Sequence, residues 1–155
     1  MPRKAALKPT WLALDHQLCF ALYSASLAMT KLYKPLLAPL GLTYPQYLVM
    51  LVLWEGDGPT VSQVGERLAL DSGTLTPLLK RLQTAGLIQR QRDSADERRV
   101  LLQLTPQGRA LRSRALAVPP QVAQASGCEL SELGALTARL RTLRQQINTS
   151  TARPA

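Results

Sequence analysis

The sequence predicts a mainly helical fold with one small β-hairpin near the middle of the chain. Aromatic residues make up only 5% of the composition, while Leu, Ala, Arg and Gln are frequent, which favours helix over sheet. Several segments repeat leucine at spacings of three and four residues, as amphipathic helices do. Because 46% of the 155 residues are hydrophobic, the chain can bury a core, and we expect residues 1–155 to form a single protomer.

The net charge indicates the kind of partner. A formal charge of +9 predicts a polyanion, either nucleic acid or an acidic membrane surface. Nine basic and three acidic residues lie between Ser72 and Val118, so most of the excess is there. The apolar run over residues 47–54 is far shorter than the roughly 20 residues of a membrane span. No secretion signal is recognisable, so we expect a cytoplasmic protein outside any membrane.

Helices with a continuous apolar face are predicted at both ends, over residues 10–34 and 106–148. Their apolar positions are Leu18, Leu22, Ala25, Met29 and Leu32 in the first, and Leu133, Leu136, Leu140, Leu143 and Ile147 in the last. We expect Pro35 and Pro39 to end the first helix, and Pro119 and Pro120 to stop or kink the helix that begins at Pro106. Two such faces predict a two-fold homodimer that buries both. Residues 149–155 are expected to be a disordered polar tail.

The centre of the chain, residues 43–105, predicts a winged helix-turn-helix. Thr43 with Gln46, and Thr60 with Gln63, have the spacing of capping boxes, each followed by a helix. A short helix after Thr60 and a leucine-spaced helix that ends before Gly86 form the helix-turn-helix. The segments 87–92 and 98–104, joined by a polar turn, form a basic hairpin that is typical of a wing.

This arrangement predicts binding to double-stranded DNA. The second helix of the motif should enter the major groove, with short hydroxyls at its start and cations further along. Either Asp71 or Thr74 can cap this helix, and Pro77 lies inside the helix in the first case and in its first turn in the second. Asp96 is expected to orient a wing arginine. A charge run can also be merely solvated, but the motif upstream favours the wing. The predicted DNA-binding residues are Ser72, Thr74, Thr76, Lys80, Arg81, Arg90, Arg92, Arg98 and Arg99.

The two cysteines are too few for a zinc site, and we expect no metal, cofactor or permanent disulfide. Cys19 nevertheless shares a helical stripe with His16, Tyr23 and Tyr33, and Tyr44 follows the next turn. Phenol hydroxyls can stabilise a thiolate, which is the form that peroxides oxidise. Spacing alone favours a buried cysteine at the edge of a tyrosine-lined core over a reactive thiol.

Two parts of the sequence resemble the MarR family of transcriptional regulators. They are the helix-turn-helix LDSGTLTPLLKRL, residues 70–82, and the wing motif DERR, residues 96–99, followed by LTPQG, residues 104–108. The segment LDHQLCFALY, residues 14–23, resembles the organic-hydroperoxide-responsive, OhrR-like branch in its two-cysteine form.

This resemblance implies a repressor, not an enzyme, that binds palindromic operator DNA as a homodimer, with an organic hydroperoxide as inducer. It implies that Cys19 is the peroxide sensor, that Tyr33 and Tyr44 hydrogen-bond to it, and that Tyr23 lines the same pocket. His16 is a weaker candidate for this sensor pocket. It further implies that oxidised Cys19 forms a disulfide with Cys128 of the other subunit and that operator DNA is released.

Three alternatives remain open from the residues. One is a MarR-type regulator that binds a phenolic ligand without covalent chemistry. Another is a thiol peroxidase, although the sequence has no Cys-x-x-Cys redox motif. The last is a basic structural or membrane-surface protein, which would bind DNA weakly and without sequence preference.

Overall fold

The computed structural model describes residues 9–56 and 58–152 and is mainly helical, as predicted. Its elements are 3₁₀ turns at Pro9–Leu12, Leu14–His16 and Ala38–Leu40, helices α1 (Leu18–Leu37), α2 (Tyr44–Glu55), α3 (Val61–Leu68), α4 (Ser72–Thr84), α5 (Pro106–Ala115), α6 (Val118–Ser126) and α7 (Leu130–Thr151), and strands β1 (Ile88–Arg92) and β2 (Val100–Leu104). Two compact units are divided in the sequence between Arg114 and Ala115.

The first helix differs from the prediction of 10–34 at both ends. Its start is a pair of 3₁₀ turns, because the Gln17 side-chain amide donates to the backbone carbonyls of Trp11 and Ala13 and holds the chain in turns. Pro35 lies inside α1 and does not end it. The proline removes one hydrogen bond, but the helix continues to Leu37, whose side chain is fully buried. Gly41, with a positive φ of 69°, ends the 3₁₀ turn that follows.

Helix α2 is the centre of the core in the first unit, as its nearly continuous apolar sequence predicts. The capping box is present: Gln46 N–H donates to the Thr43 hydroxyl, and the Gln46 side chain accepts from the Thr43 N–H. Val49 and Met50 are fully buried. Helix α2 contacts α1, α3, α4 and β2, so it connects the first helix to both helices of the helix-turn-helix and to one strand of the wing.

Helices α3 and α4 form the predicted helix-turn-helix. The second capping box, Thr60 with Gln63, begins α3. Asp71, and not Thr74, caps α4, so Pro77 lies inside the helix. The buried side chains Leu75, Leu78, Leu79 and Leu82 follow the predicted helical spacing. Gly86 has a φ of 75°, which only glycine adopts easily, and directs the chain into β1.

The wing is a two-stranded antiparallel sheet in which Ile88 pairs with Leu104 and Arg92 with Val100. Its strands are shorter than the predicted segments 87–92 and 98–104. The segment before α3 also pairs with strand β2, which the sequence did not predict. Thr60 forms an isolated antiparallel bridge to Leu101, and Pro59 accepts the Leu102 N–H at 2.8 Å. This extra pairing connects strand β2 to the start of the helix-turn-helix.

A close backbone contact joins α5 to the rest of the reading region. The Thr105 hydroxyl accepts the Gly108 N–H at 3.0 Å and donates to the Gly86 carbonyl at 2.6 Å. A Cβ at Gly108 would lie 2.0 Å from the Leu87 carbonyl oxygen, so only glycine fits. The Trp54 indole N–H donates to the Gly108 carbonyl at 3.0 Å, which adds α2 to the same junction.

Two further predictions, both about the last three helices, are wrong. Helix α5 ends at Ala115, and Pro119 and Pro120 lie in the first turn of α6 instead of stopping a helix near Val118. Prolines are tolerated there because first-turn N–H groups have no partner within the helix. Helix α7 continues to Thr151, so residues 149–151 of the predicted tail are helical; residues 153–155 lie outside the described part. Hydroxyls in this last turn, such as Thr149 to the Gln145 carbonyl, bond back along the helix.

Within the described residues, no single helix is both long and apolar enough to cross a membrane. By length and composition alone, the pair Leu18–Leu40 and Tyr44–Glu55 meets the criterion together, with a bend of 66° between its members.

Candidate nucleic-acid interface and thiol site

The start of α4 presents hydroxyl side chains to the surface. Ser72, Thr74 and Thr76 are all exposed, as a groove-reading helix requires. The Asp71 carboxylate accepts the Thr74 N–H at 2.7 Å, and this hydrogen bond holds the Asp71 pKa below its usual range. The Thr76 hydroxyl donates to the Ser72 carbonyl at 2.7 Å. The hydroxyl positions are thus fixed by the helix cap and its first turn.

Basic side chains continue this surface toward the wing. Lys80 and Arg81 are exposed on α4, and Arg90 and Arg92 are exposed on β1. The Arg90 Nε donates to the Gln83 side-chain oxygen at 2.8 Å, which links the end of α4 to the wing. Such cations bind phosphate oxygens along a duplex and set the position of the reading helix.

In the wing turn, each of two arginines forms an ion pair with a nearby aspartate. The Arg98 Nε lies 3.2 Å from the Asp96 Oδ1, which confirms the predicted orienting pair, although the Arg98 side chain remains 91% exposed. Arg99 lies beside Asp93 at 3.9 Å, and the Asp93 N–H donates to the Arg99 carbonyl. The turn therefore projects Arg98 outward from a hydrogen-bonded loop, as insertion into a narrow minor groove requires.

Cys19 is an exposed free thiol in the first turn of α1. The prediction placed it further inside a longer helix, which the 3₁₀ turns before Leu18 rule out. His16 ends the second of these turns, and Tyr23 lies one turn further along α1 with 65% of its surface exposed. Among residues 9–56 and 58–152, no hydrogen bond reaches the Cys19 thiol.

The rings of Tyr33 and Tyr44 lie close together, as predicted for one site. They pack beside a third tyrosine, Tyr47, and not beside Cys19. Their ring centroids lie 4.7 Å apart, and Tyr47 lies 5.8 Å from Tyr33 and 6.5 Å from Tyr44. Burial, followed by the charges of Tyr44 and Tyr47, raises the pKa of Tyr33 to about 12. Sequence reasoning missed Tyr47, although its spacing of three residues from Tyr44 on one helix was the available signal.

The length of α1 separates the tyrosine cluster (Tyr33, Tyr44 and Tyr47) from the Cys19 thiol of the same chain. Cys19 and Tyr33 are both on α1, fourteen residues apart. At 1.5 Å per residue the two positions lie about 21 Å apart along the axis. Within one chain the phenol of Tyr33 therefore cannot hydrogen-bond to Cys19.

Cys128 is also exposed and lies in the short connection before α7. Gly127, with a φ of 68°, ends α6, and the Cys128 N–H bonds to the Ser126 hydroxyl at 3.3 Å. Glu129 and Glu132 then form a capping box that begins α7. The thiol thus lies at a fixed helix start.

Large apolar side chains are exposed along both terminal helices, on the faces predicted to pair. In α1 they include Leu18, Leu22 and Met29, and in α7 they include Leu136, Leu140 and Ile147. Their exposed fractions are between 36% and 57% in the single chain. Soluble proteins rarely leave contiguous apolar faces of this kind uncovered.

Comparison with known proteins agrees with this architecture. A family model described as "Transcriptional regulator SarA/Rot" matches residues 31–114. The organic hydroperoxide resistance transcriptional regulator of Bacillus subtilis (strain 168) is 50% identical over 137 residues, which cover 86% of this chain and 93% of that protein. The transcriptional regulator TtmR of Methylorubrum extorquens (strain PA1) is 47% identical over 151 residues, 95% of this chain and 77% of that protein.

Solved structures of AbfR are similar in fold and include reduced, overoxidised and disulfide forms. Reduced AbfR bound to DNA matches with a TM-score of 0.73 at 34% identity, over 90% of this chain and 96% of that one. Disulfide-formed AbfR matches over the same share of this chain and 93% of that one, at 33% identity, but with a TM-score of 0.58. Overoxidised AbfR bound to DNA also matches with a TM-score of 0.73, so the two DNA-bound forms score equally and both score above the disulfide form.

Proposed function

Because this chain belongs to the MarR/SarA-type family of winged-helix transcriptional regulators, we propose that it is a homodimeric, cytoplasmic repressor released from operator DNA by organic hydroperoxides. Cys19 is the sensing thiol and Cys128 of the other subunit is the resolving thiol. The single observation that carries this proposal is the position of Cys19: an exposed thiol in the first turn of a long helix whose apolar face is uncovered.

The homodimer accounts for the uncovered faces of α1 and α7. A second copy would cover these side chains in one interface, and two-fold symmetry would set two α4 helices on successive major grooves of a palindromic operator. The hydroxyls at the start of α4 would contact base edges and phosphates, and Arg98 of each wing would enter the adjacent minor groove.

The sensor site would be completed by the second copy. Since Tyr33 lies about 21 Å along the helix axis from Cys19 of its own chain, the phenols that hydrogen-bond to that thiol must come from the partner's tyrosine cluster. The first turn of α1 adds free backbone N–H groups, which stabilise negative charge on the sulfur. The apolar side chains beside Cys19, such as Leu18 and Leu22, favour a hydroperoxide with an organic group.

The chemistry is a two-electron oxidation in two steps. The Cys19 thiolate attacks the distal oxygen of the hydroperoxide, the O–O bond breaks, and the alcohol leaves with a proton while sulfur becomes a sulfenic acid. The Cys128 thiolate of the other subunit then attacks this sulfur, the S–O bond breaks, and water leaves as the disulfide forms. The net reaction consumes two thiols and one hydroperoxide and yields a disulfide, an alcohol and water.

The disulfide would act on DNA through the spacing of the two reading regions. Drawing Cys128 toward Cys19 of the partner moves the start of α7 relative to α1, and so moves the paired α4 helices out of register with successive grooves. The lower TM-score of disulfide-formed AbfR supports a change of shape of this kind in a relative.

The test is operator binding by fluorescence anisotropy, before and after a small organic hydroperoxide, for wild type, Cys19→Ser and Cys128→Ser. We expect the wild type to lose affinity at least about a hundredfold, which is within the usual range of allosteric coupling. Cys19→Ser should bind equally well with or without the peroxide. Release of Cys19→Ser by hydroperoxide would contradict the thiol mechanism and favour a non-covalent ligand.

A further inference from the structure

We propose that Tyr47 is a positioning residue that holds the Tyr33 and Tyr44 hydroxyls toward Cys19 of the second copy. This inference rests on the proposed function, since it adds a residue to the same sensor site. Tyr47 would not touch the thiol or the peroxide itself.

The first argument is where the three rings lie in the fold. Tyr44 and Tyr47 are three residues apart in the first turn of α2 and therefore share one face of that helix. The capping box of Thr43 and Gln46 fixes this turn. Tyr47 is only 4% exposed, whereas Tyr33 and Tyr44 are half-buried. Tyr47 thus forms the inner wall of the tyrosine cluster, and the other two rings form its outer side.

The second argument is that Tyr47 supports both of the other rings. Its centroid lies 5.8 Å from Tyr33, on α1, and 6.5 Å from Tyr44, on α2, with interplanar angles of 40° in both pairs. These are separations at which tilted aromatic rings attract one another. Loss of the Tyr47 ring would leave a cavity behind both neighbours and allow them to turn inward.

The third argument is the protonation of the cluster. Burial raises the pKa of all three phenols, and that of Tyr33 reaches about 12. Each therefore keeps its proton near neutral pH and can donate a hydrogen bond. Hydrogen bonds to the charged form of a group favour that form, so outward-held Tyr33 and Tyr44 hydroxyls would stabilise the thiolate of Cys19.

The test measures the pH–rate profile of Cys19 alkylation by iodoacetamide in the full-length, reduced Cys128→Ser protein. In that background Tyr47→Leu should raise the midpoint of the profile by about one pH unit and slow oxidation by an organic hydroperoxide about tenfold, because reactivity follows the thiolate fraction. Tyr47→Phe, which keeps the aromatic ring, should have the same midpoint and the same oxidation rate as the parent protein. An unchanged midpoint in Tyr47→Leu would overturn the proposal.

A second set of variants shows whether Tyr47 acts through its neighbours. In a Tyr33→Phe/Tyr44→Phe background, Tyr47→Leu should have no further effect on the midpoint, because the hydroxyls that it positions are gone. A further shift there would contradict a positioning role. Operator binding by the reduced protein serves as the folding control. If Tyr47→Leu does not fold, the pH–rate profile of Tyr47→Phe is the test. A midpoint equal to that of the parent supports positioning by the ring, and a shifted midpoint overturns the proposal.

Failure of the proposed function gives a different result. If hydroperoxide does not oxidise Cys19 in the parent protein, or oxidises it without affecting operator binding, the sensor mechanism is wrong whatever Tyr47 does. If the parent behaves as expected and only Tyr47→Leu is indistinguishable from it, the inference about Tyr47 alone is wrong.

Discussion

The reading region, from α3 to α5, and the sensing region, on α1 and the connection before α7, differ in how much of each one chain completes. The reading region has its caps, its wing pairing and its buried leucines within a single chain. In the sensing region Cys19 has no hydrogen-bond partner among the described residues, and apolar side chains around it are exposed. The comparison teaches that one chain completes the helix-turn-helix and wing, whereas the sensor site that we propose needs a second copy.

The largest expected effect contrasts a glycine of the reading region with a glycine of α7. Gly108→Ala should lower the free energy of unfolding by about 3 kcal/mol, because its Cβ would lie 2.0 Å from the Leu87 carbonyl oxygen. Gly134→Ala, in α7, meets nothing within 4 Å and should raise it by about 0.5–1 kcal/mol. Urea denaturation of both variants measures the difference. A destabilising Gly134→Ala would show instead that α7 is closely covered there.

The next effect concerns the wing. Arg98→Ala should weaken operator binding by about 2 kcal/mol and reduce the slope of log affinity against log salt by about one. The reason is that its guanidinium is exposed and lies beside Asp96 in the wing turn, which we propose contacts DNA. Anisotropy titrations at several salt concentrations provide both values, with Arg139→Ala on α7 as the matched control. Equal losses in the two variants would mean that the wing makes no special contact.

Smaller effects are expected at the two capping boxes. Thr43 with Gln46 begins α2, which carries Tyr44, and Thr60 with Gln63 begins α3, the first helix of the reading region. Thr60→Ala and Thr43→Ala should each cost about 1 kcal/mol of unfolding free energy, since each removes the acceptor for one N–H group at a helix start. Only Thr43→Ala should also slow peroxide oxidation of Cys19, because its helix carries Tyr44. Thermal melts and oxidation rates test this pair. Slower oxidation in Thr60→Ala would remove the distinction between the regions.

The smallest effect is at alkaline pH. Because the folded-state pKa of Tyr33 is raised from its usual 10.0 to about 12, its contribution to stability is fully present below pH 10. It is lost as the pH rises toward 12, since the unfolded chain releases the proton first. Tyr33→Phe should therefore show a shallower fall in stability over this range than the wild type, measured by urea denaturation. Identical pH slopes would contradict the burial of this phenol.

The sequence predicted the fold well wherever the signal is local. Capping boxes, Gly86 and the leucine spacing of α4 all depend on residues a few positions apart, and the structure confirms them. The errors were also local but depended on competing interactions. The Gln17 side chain favours 3₁₀ turns over helix, and buried Leu37 keeps α1 helical beyond Pro35. Pro119 can begin a helix as readily as end one.

What the sequence could not predict involves residues far apart in the chain. The bridge from Thr60 to Leu101 and the contact of Gly108 with Leu87 have no pattern in either segment alone. The distance between Cys19 and Tyr33 is different, because their spacing of fourteen residues in a predicted helix already shows that the two cannot meet within one chain.

The most direct test of a sensor shared between two copies is a mixed dimer of Cys19→Ser and Cys128→Ser chains that differ in mass. After organic hydroperoxide, a non-reducing gel should show a covalent heterodimer that reduction separates, because Cys19 remains on one chain and Cys128 on the other. Neither variant alone should give this product. A mixture with no heterodimer, together with wild-type chains that form the disulfide within a single subunit, would contradict the account.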